Sequence, residues 1–288
     1  MPRLIAMTIL MLALFPALAS SRDRPERVSF PSRDGKTTLV GYVFKPADPR
    51  GARVPAVVMM HGRAGAYSSR ANGRYDAETL SMRHREWGER WATQGYLALM
   101  VDGFGPRGYP QGFPRHSYES RPAELDEVTV RPLDAYGALA YLRSRPDVAG
   151  DRIGLIGWSN GGSAALATMS VDAPGIQQPT PQSGFQAALV FYPGCGLHGH
   201  FETGYMPYGP VRVFHGAADE ETSARRCAKL VERSQQKNAD ITITVYPGAT
   251  HDFDDPGRKR RGVEANAAAF QDAVKRSLDF FAQQLEGR

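Results

Sequence analysis

The chain has little cysteine and, beyond its first twenty residues, no long apolar run; two cysteines occur among 288 residues. A membrane-spanning helix needs about 20 consecutive apolar residues, so this absence predicts a mature protein that is soluble. No internal repeat, low-complexity linker or break in composition follows the N-terminal segment, which predicts one globular domain over residues 20–288. A hydrophobic share of 42% and an aromatic share of 10% suffice for a large core and exclude a disordered chain.

An extended basic stripe is also missing, although the formal net charge is +5. The densest run of positive charge is GRKRRG at residues 257–262, which has the character of a solvated loop leading into a helix. Nucleic-acid binding requires a basic patch or stripe on the surface. We therefore expect a small-molecule substrate, no nucleic-acid partner and no cofactor, and the oligomeric state is left open.

The first nineteen residues have the composition of a secretory signal peptide. Arg3 supplies a short positive segment, residues 4–15 form an apolar run, and Ala17 and Ala19 provide the small residues of a cleavage site. This pattern predicts cleavage after Ala19, export to the periplasm or the medium, and no stable membrane insertion after cleavage. The alternative is an uncleaved anchor helix, but the apolar run is short for spanning and precedes the polar stretch SSRDRPER.

Export changes the interpretation of the two cysteines. In an oxidising compartment an even pair favours a disulfide. Cys195 and Cys227 both lie near the ends of neighbouring predicted strands, which also favours a bond between them. The alternative is two buried thiols.

Apolar strand patterns alternate with helical patterns along the chain. RVSFPS and TTLVGYVFKP flank the turn RDGK and predict an antiparallel hairpin. Later runs have the continuous apolar character of strands buried on both faces: VPAVVMMHG, YLALMVDGFG, RIGLIGWS, QAALVFYPG, VRVFHGAAD and ITITVYPGATH. Helical patterns separate these runs, and a final helix is expected over residues 263–285. The alternation predicts an α/β fold with a mostly parallel sheet and helices on both faces.

Ser159 lies in the stretch DRIGLIGWSNGG, between Gly157 and Gly161. A G-x-S-x-G match is weak by itself, but here a predicted strand precedes it and a predicted helix follows. A sharp strand-to-helix turn exposes the serine hydroxyl and tolerates only small residues on either side. This context predicts that Ser159 is a nucleophile. The alternative is a glycine-rich turn with an idle serine.

A serine nucleophile needs a histidine base and a carboxylate that orients the histidine, and in α/β-hydrolases the chain order is Ser, Asp or Glu, then His. Of the four histidines after Ser159, only His251 lies in a loop after the last predicted strand. Asp219 follows the preceding strand. It is preferred to Glu220 and Glu221 because it comes first after the small GAA turn.

An oxyanion hole needs backbone N–H donors. Asn160 directly follows the nucleophile and is expected to supply one, and the loop HGRAG is expected to supply the other. Within that loop we prefer the N–H of Arg63, with Ala64 second. The Arg63 side chain is open to two interpretations, contact with a substrate carboxylate or exposure to solvent.

Two long loops are expected to cover the pocket, one after HGRAG and the other GFGPRGYPQGFPRHSYES. They carry Tyr67, Phe104 and Arg107, and Trp158 adds an aromatic wall beside the nucleophile. These four side chains are candidate contacts for a medium-sized aromatic or acidic compound. Packing within the loops would explain each of them equally well.

Six stretches together resemble the dienelactone hydrolase family of α/β-hydrolases: VVMMHGRAG, GYLALMVDGFGPRG, AYGALAYLRSRPDVAGDRIGLIGWSNGG, LVFYPGCG, VFHGAADEETSARRC and YPGATHDF. The likeness extends from about residue 54 to the C-terminus, and the motifs are specific to the family as a set. The resemblance implies an α/β-hydrolase fold and a catalytic triad at Ser159, Asp219 and His251. It also implies hydrolysis of carboxylic esters or lactones through an acyl-enzyme.

Two departures from the family pattern bear on the substrate. The founding branch has a cysteine where this chain has Ser159, and a glutamate where this chain has His61 and Gly62. Both differences point away from dienelactone itself. Exported relatives with GFGPRG and a cysteine after FYPG are more similar, and their second cysteine falls where Cys227 does, so the resemblance implies a disulfide with Cys195.

The sequence leaves three other functions open. A prolyl-oligopeptidase-like peptidase shares this domain but usually carries a large additional domain, for which 288 residues leave no room. His198, His200 and Glu202 alternate along one segment and could ligate zinc, but the glycine-rich setting and the lack of an H-E-x-x-H helix favour a polar loop and no metal. A catalytically inactive binding protein is disfavoured because all three triad residues are present.

Overall fold

A computed structural model describes residues 24–47, 49, 53–201 and 204–286. The predicted signal peptide at residues 1–19 and the candidate ligand Glu202 lie outside the described residues. No helix in the described part of the chain is long and apolar enough to cross a membrane.

Eight strands form one sheet in the order β1-β2-β4-β3-β5-β6-β7-β8. The strands are β1 (Glu26–Pro31), β2 (Thr38–Phe44), β3 (Val54–Met60), β4 (Leu97–Asp102), β5 (Val148–Trp158), β6 (Ala188–Phe191), β7 (Val211–Gly216) and β8 (Ile241–Tyr246). β1 and β2 pair antiparallel, as predicted for the hairpin, and β2 also pairs antiparallel with β4. The other neighbours pair in parallel. The predicted α/β fold with a mostly parallel sheet is confirmed.

Helices cover both faces of the sheet. They are α1 (Met82–Thr93), α2 (Arg131–Ser144), α3 (Asn160–Met169), α4 (Ala224–Gln235), α5 (Arg258–Arg261) and α6 (Glu264–Phe281). Buried residues of α2, α3 and α4 share one apolar core, whereas those of α1 and α6 share the core on the opposite face. The central strand β3 contributes Val58 and Met60 to the first core and Val57 and Met59 to the second, because successive side chains of a strand point to opposite faces.

One local prediction differs from the structure. The run GRKRRG was expected to be a loop, but Arg258–Arg261 form the short helix α5, which leads into α6. Its side chains are not buried, so the expectation that this positive charge is solvated agrees with the structure. The strands β3 to β8 run in one direction, so their carboxyl ends meet at one edge of the sheet, where ligands of α/β proteins bind.

Candidate active site

Ser159 occupies the sharp turn between β5 and α3, with backbone angles φ 52° and ψ −116°. A left-handed φ is costly for a residue with a side chain, and the surrounding backbone leaves little room. A Cβ at position 157 would lie 2.1 Å from the carbonyl oxygen of Gly161. A Cβ at position 161 would lie 2.1 Å from the carbonyl oxygen of Met60. Glycines at 157 and 161 are therefore required for the turn to pack against β3.

The structure brings together the three residues that were predicted to act with one another. The Nε2 atom of His251 lies 3.0 Å from the hydroxyl of Ser159, and its Nδ1 atom lies 2.8 Å from a carboxylate oxygen of Asp219. Asp219 follows β7, and His251 follows β8. The competitors of Asp219 have other contacts: Glu220 accepts the backbone N–H of His251 at 3.0 Å, and Glu221 lies 3.9 Å from Nε2.

Neighbouring groups shift the pKa values of the histidine and its carboxylate in opposite directions. Burial alone would lower the pKa of His251, but the hydrogen bond that it donates to Asp219 and the charges of Asp252, Asp219 and Glu221 raise the pKa above its usual value of 6.5. Burial alone would raise the pKa of Asp219, but hydrogen bonds from His251 and from the backbone N–H groups of Thr222 and Glu221 lower it. Asp219 is therefore held ionised beside an imidazole that can accept a proton.

Two backbone N–H groups near the nucleophile are free to bind a ligand. Within the described part of the chain, the N–H groups of Asn160 and Arg63 have no hydrogen-bond acceptor. Asn160 begins α3, so its N–H also lies at the positive end of the helix dipole. The loop that carries Arg63 approaches closely, because a Cβ at Gly62 would lie 3.4 Å from the Cβ of Ser159. If the Ser159 oxygen bonds to a carbonyl carbon, these N–H groups can stabilise the negative charge on the carbonyl oxygen.

Two cavities meet at Ser159, and Arg63 also borders both of them. The first, of about 620 Å³, extends along Asn160. The second, of about 700 Å³, extends along His251 and includes Tyr67, one of the predicted pocket residues. The Tyr67 hydroxyl also donates a hydrogen bond to buried Asp102 at 2.9 Å, which fixes the position of the Tyr67 ring.

Three other predicted pocket residues lie elsewhere, and these predictions are wrong. Trp158 is fully buried in the apolar core that α1 and α6 cover, and it donates to Asp254 at 2.8 Å. Phe104 is buried against the His61 ring, with 4.4 Å between the ring centroids. Arg107 is buried between two carboxylates, Asp134 at 2.8 Å and Asp34 at 2.7 Å. Packing and ion pairing thus account for all three, which was the alternative that the sequence left open.

The Arg63 side chain is not simply solvated, because it is paired within the protein while it borders both cavities. Its Nε atom donates to Glu221 at 2.9 Å, and its Nη1 atom donates to the carbonyl of Phe113 at 3.0 Å. Arg115 pairs with the same carboxylate at 2.7 Å. Sequence reasoning missed this Glu221-centred cluster. The only signal was the position of Glu221 two residues after Asp219, where it was considered as a triad carboxylate.

His198 and His200, the two candidate zinc ligands that the structure describes, have different surroundings. The His198 side chain contacts Asp126, at 3.1 Å, and the Tyr118 hydroxyl, at 2.8 Å. His200 is exposed and belongs to neither group of potential metal ligands in the described part of the chain. Ring stacking of Tyr118 on His198 makes this segment part of the wall of the first cavity.

Cys195 and Cys227 form a disulfide that connects the loop after β6 to α4. Cys195 also borders the first cavity. The bond therefore holds one wall of this cavity to a helix.

Comparison with known proteins identifies relatives of this chain. The model of the dienelactone hydrolase family matches residues 39–285. The quorum-quenching protein AidA of Acinetobacter baumannii is 28% identical over 172 residues, which are 59% of this chain and 48% of that protein. A probable 2-oxo-3-(5-oxofuran-2-ylidene)propanoate lactonase of Bradyrhizobium is 26% identical over 172 residues, 56% of this chain and 64% of that protein. The chain thus spans between about half and two thirds of the length of these relatives.

Solved structures share the fold. A dienelactone hydrolase-like promiscuous phosphotriesterase from metagenomic libraries aligns with a TM-score of 0.65 and 21% identity, over 90% of this chain and 97% of its own. Thermogutta terrifontis esterase 2 aligns with a TM-score of 0.63 and 19% identity, over 92% of this chain and 97% of its own.

Proposed function

Since the chain belongs to the dienelactone hydrolase family, we propose that it is a serine hydrolase that cleaves carboxylic esters or lactones of small to medium size. The observation that carries this proposal is the continuous hydrogen-bonded chain from Asp219 through His251 to Ser159, with distances of 2.8 and 3.0 Å. The uncommitted N–H groups of Asn160 and Arg63 add the donors that acyl transfer requires.

In the proposed mechanism, His251 accepts the Ser159 proton while the serine oxygen bonds to the ester carbonyl carbon. The carbonyl oxygen becomes negatively charged and accepts hydrogen bonds from the N–H groups of Asn160 and Arg63. The C–O bond to the leaving group then breaks, and His251 gives its proton to the departing oxygen. A water molecule, deprotonated by His251, attacks the acyl-enzyme, and the acid leaves as Ser159 regains its proton.

The two cavities take different halves of the substrate in this scheme. His251 must reach the leaving oxygen, and it borders the second cavity, so the alcohol half lies there. The first cavity, which Asn160 borders, then receives the acyl half. Arg121 and Arg226 border this cavity, but so do Glu119 and Glu127, so its lining carries charges of both signs. The panel below therefore includes an acidic acyl group, the kind of compound considered from the sequence.

The test compares wild type, Ser159→Ala and Ser144→Ala on p-nitrophenyl esters of graded chain length, with p-nitroanilides and one monoester of a dicarboxylic acid in the panel. Ser159→Ala should lose nearly all esterase activity and all labelling by a fluorophosphonate probe. Ser144→Ala should keep both, because Ser144 is exposed on α2, bonds to the Tyr141 carbonyl and borders neither cavity. Full activity of Ser159→Ala would overturn the mechanism, and faster cleavage of the p-nitroanilides than of the esters would favour a peptidase.

We also propose that the protein is exported and acts in the periplasm or the medium after loss of residues 1–19. The Cys195–Cys227 disulfide supports an oxidising compartment. A small-molecule substrate, without nucleic acid, remains the proposed partner.

A further inference from the structure

Asp254 is a fully buried carboxylate three residues after His251. One of its oxygens accepts hydrogen bonds from the indole N–H groups of Trp87, at 2.9 Å, and Trp158, at 2.8 Å. The other oxygen accepts from the hydroxyl of Tyr192 and lies 3.3 Å from the guanidinium of Arg83. A buried carboxylate is costly unless it is paired and hydrogen-bonded, and here three hydrogen-bond donors and the positive charge of Arg83 surround it.

One of these contacts leads to the nucleophile. Trp158 is the last residue of β5 and directly precedes Ser159. Its ring lies in the apolar core that α1 and α6 cover and is held between Asp254 and the ring of Trp87, with 5.9 Å between the centroids. The hydrogen bond to Asp254 therefore ties the backbone just before the strained serine to the loop that carries the histidine.

A second contact leads to the histidine and its carboxylate. The Tyr192 ring packs on the His251 ring, with 4.7 Å between the centroids, while the Tyr192 hydroxyl donates to Asp254. The Thr222 hydroxyl lies 3.3 Å from the Tyr192 carbonyl oxygen and 3.0 Å from Asp219. Tyr192 thus connects Asp254 to both members of the pair that activates Ser159.

We propose that Asp254 is a positioning residue that aligns Ser159, His251 and Asp219 from its buried position beside α1. The proposal rests on the serine-hydrolase function above. Asp254 does not touch the reacting atoms, and it acts only through Trp158, Tyr192 and its own loop. A displacement of about 1 Å between reacting groups can cost about a hundredfold in rate, so the loss of this alignment would appear in kcat.

Asp254→Asn is the discriminating substitution, because it preserves shape but removes acceptor capacity. The amide has one oxygen, so in either orientation its NH2 group faces donors: Trp87 and Trp158 on one side, Tyr192 and Arg83 on the other. We expect kcat for p-nitrophenyl esters to fall roughly ten- to a hundredfold, with little change in KM.

Asp134→Asn is the matched control. Asp134 is also a fully buried carboxylate, bonded to Arg107 and Ser32 and to none of the residues around His251. This variant should lose stability but keep the kcat of the folded enzyme. Equal effects of the two substitutions on kcat, measured at a temperature where near-ultraviolet circular dichroism shows both proteins folded, would reduce Asp254 to a stability role and overturn the proposal.

A second readout does not depend on turnover. An NMR titration of His251 should show a lower pKa in Asp254→Asn than in wild type, because a misaligned imidazole loses part of its bond to Asp219. If wild type cleaves no ester and binds no fluorophosphonate, the proposed function fails, and this titration still tests Asp254. If Asp254→Asn does not fold, Tyr192→Phe provides the test, since it removes one bond to Asp254 and keeps the ring beside His251. A wild-type His251 pKa and kcat in the folded variant would overturn the proposal.

Discussion

His251 is buried between Asp219 and Ser159, and the charges of three nearby carboxylates determine the pKa of its imidazole. Burial opposes a charged imidazole, yet the bond to Asp219 and the charges of Asp252 and Glu221 outweigh it. Asp252 itself is partly buried, and its pKa is lowered to about 2, against the effect of burial, chiefly by Arg83. Asp252 therefore stays ionised over the whole range in which His251 titrates.

The pH dependence of hydrolysis follows from the direction of the His251 shift. Only the neutral imidazole can accept the Ser159 proton, and the folded protein stabilises the protonated form. As the pH falls, kcat/KM should therefore decline through a pKa higher than 6.5. Asp219→Asn should move this limb to lower pH and reduce kcat about ten-thousandfold. A pH–rate profile of both proteins measures this: a wild-type limb below 6.5 would contradict the direction of the shift, and a rate that does not fall with the pH would contradict the role of His251 as base.

At the scale of elements, the site is assembled from the ends of parallel strands. β3, β5, β7 and β8 each end just before a loop that carries Arg63, Ser159, Asp219 or His251. α3 begins at Asn160, so the positive end of its dipole lies beside Ser159. The loop after β6 is held differently, by the Cys195–Cys227 bond to α4.

This bond should contribute to stability mainly by restricting the unfolded chain. It closes a loop with a sequence separation of 32 residues, for which the loop-entropy model gives about 3–4 kcal/mol. The double variant Cys195→Ala/Cys227→Ala avoids unpaired thiols and should lower the free energy of unfolding in urea by about this amount. The free energy of unfolding of the wild type should fall by the same amount when a reductant breaks the disulfide. Equal unfolding midpoints with and without the disulfide would contradict the estimate.

At the scale of the whole molecule, two apolar cores and a buried ion-pair cluster join the N-terminal hairpin to the rest of the sheet. Arg107 bonds to Asp34, in the turn between β1 and β2, and to Asp134 in α2. Burial would lower the pKa of Arg107, but the bonds and charges of these two carboxylates raise it. The residue therefore serves the assembly of the fold, and its substitution should change stability without a specific change in KM.

The whole chain also carries the expectation of export. Protein recovered from the periplasm or the medium should begin at Ser20, because Ala17 and Ala19 provide the small residues that a signal peptidase requires. Mass spectrometry of the intact protein measures this. Ala19→Asp should retain the N-terminal segment and serves as the matched control. A wild-type mass that includes residues 1–19 would favour the uncleaved anchor.

The sequence by itself determined the order of strands and helices, since apolar runs and turn residues are local signals. It also determined the residues of the elbow, because only glycine fits at positions 157 and 161. The choice of Asp219 and His251 followed from chain order and from their positions after strands. These local rules were enough to predict which residues meet, although their catalytic roles await the experiments above.

Tertiary structure alone decided what surrounds the site. Trp158 and Arg107 are buried because they bond to Asp254 and Asp134. These partners are distant in sequence, so local patterns could not predict the burial. The ion pair joins Arg63 to Glu221, which lies 158 positions later, and no local sequence pattern predicts this pair. Side-chain direction and long-range pairing depend on how the loops pack over the sheet, and a composition of aromatic and basic residues is compatible with either burial or substrate contact. For the same reason, the connection of Asp254 to all three candidate catalytic residues became visible only in the folded molecule.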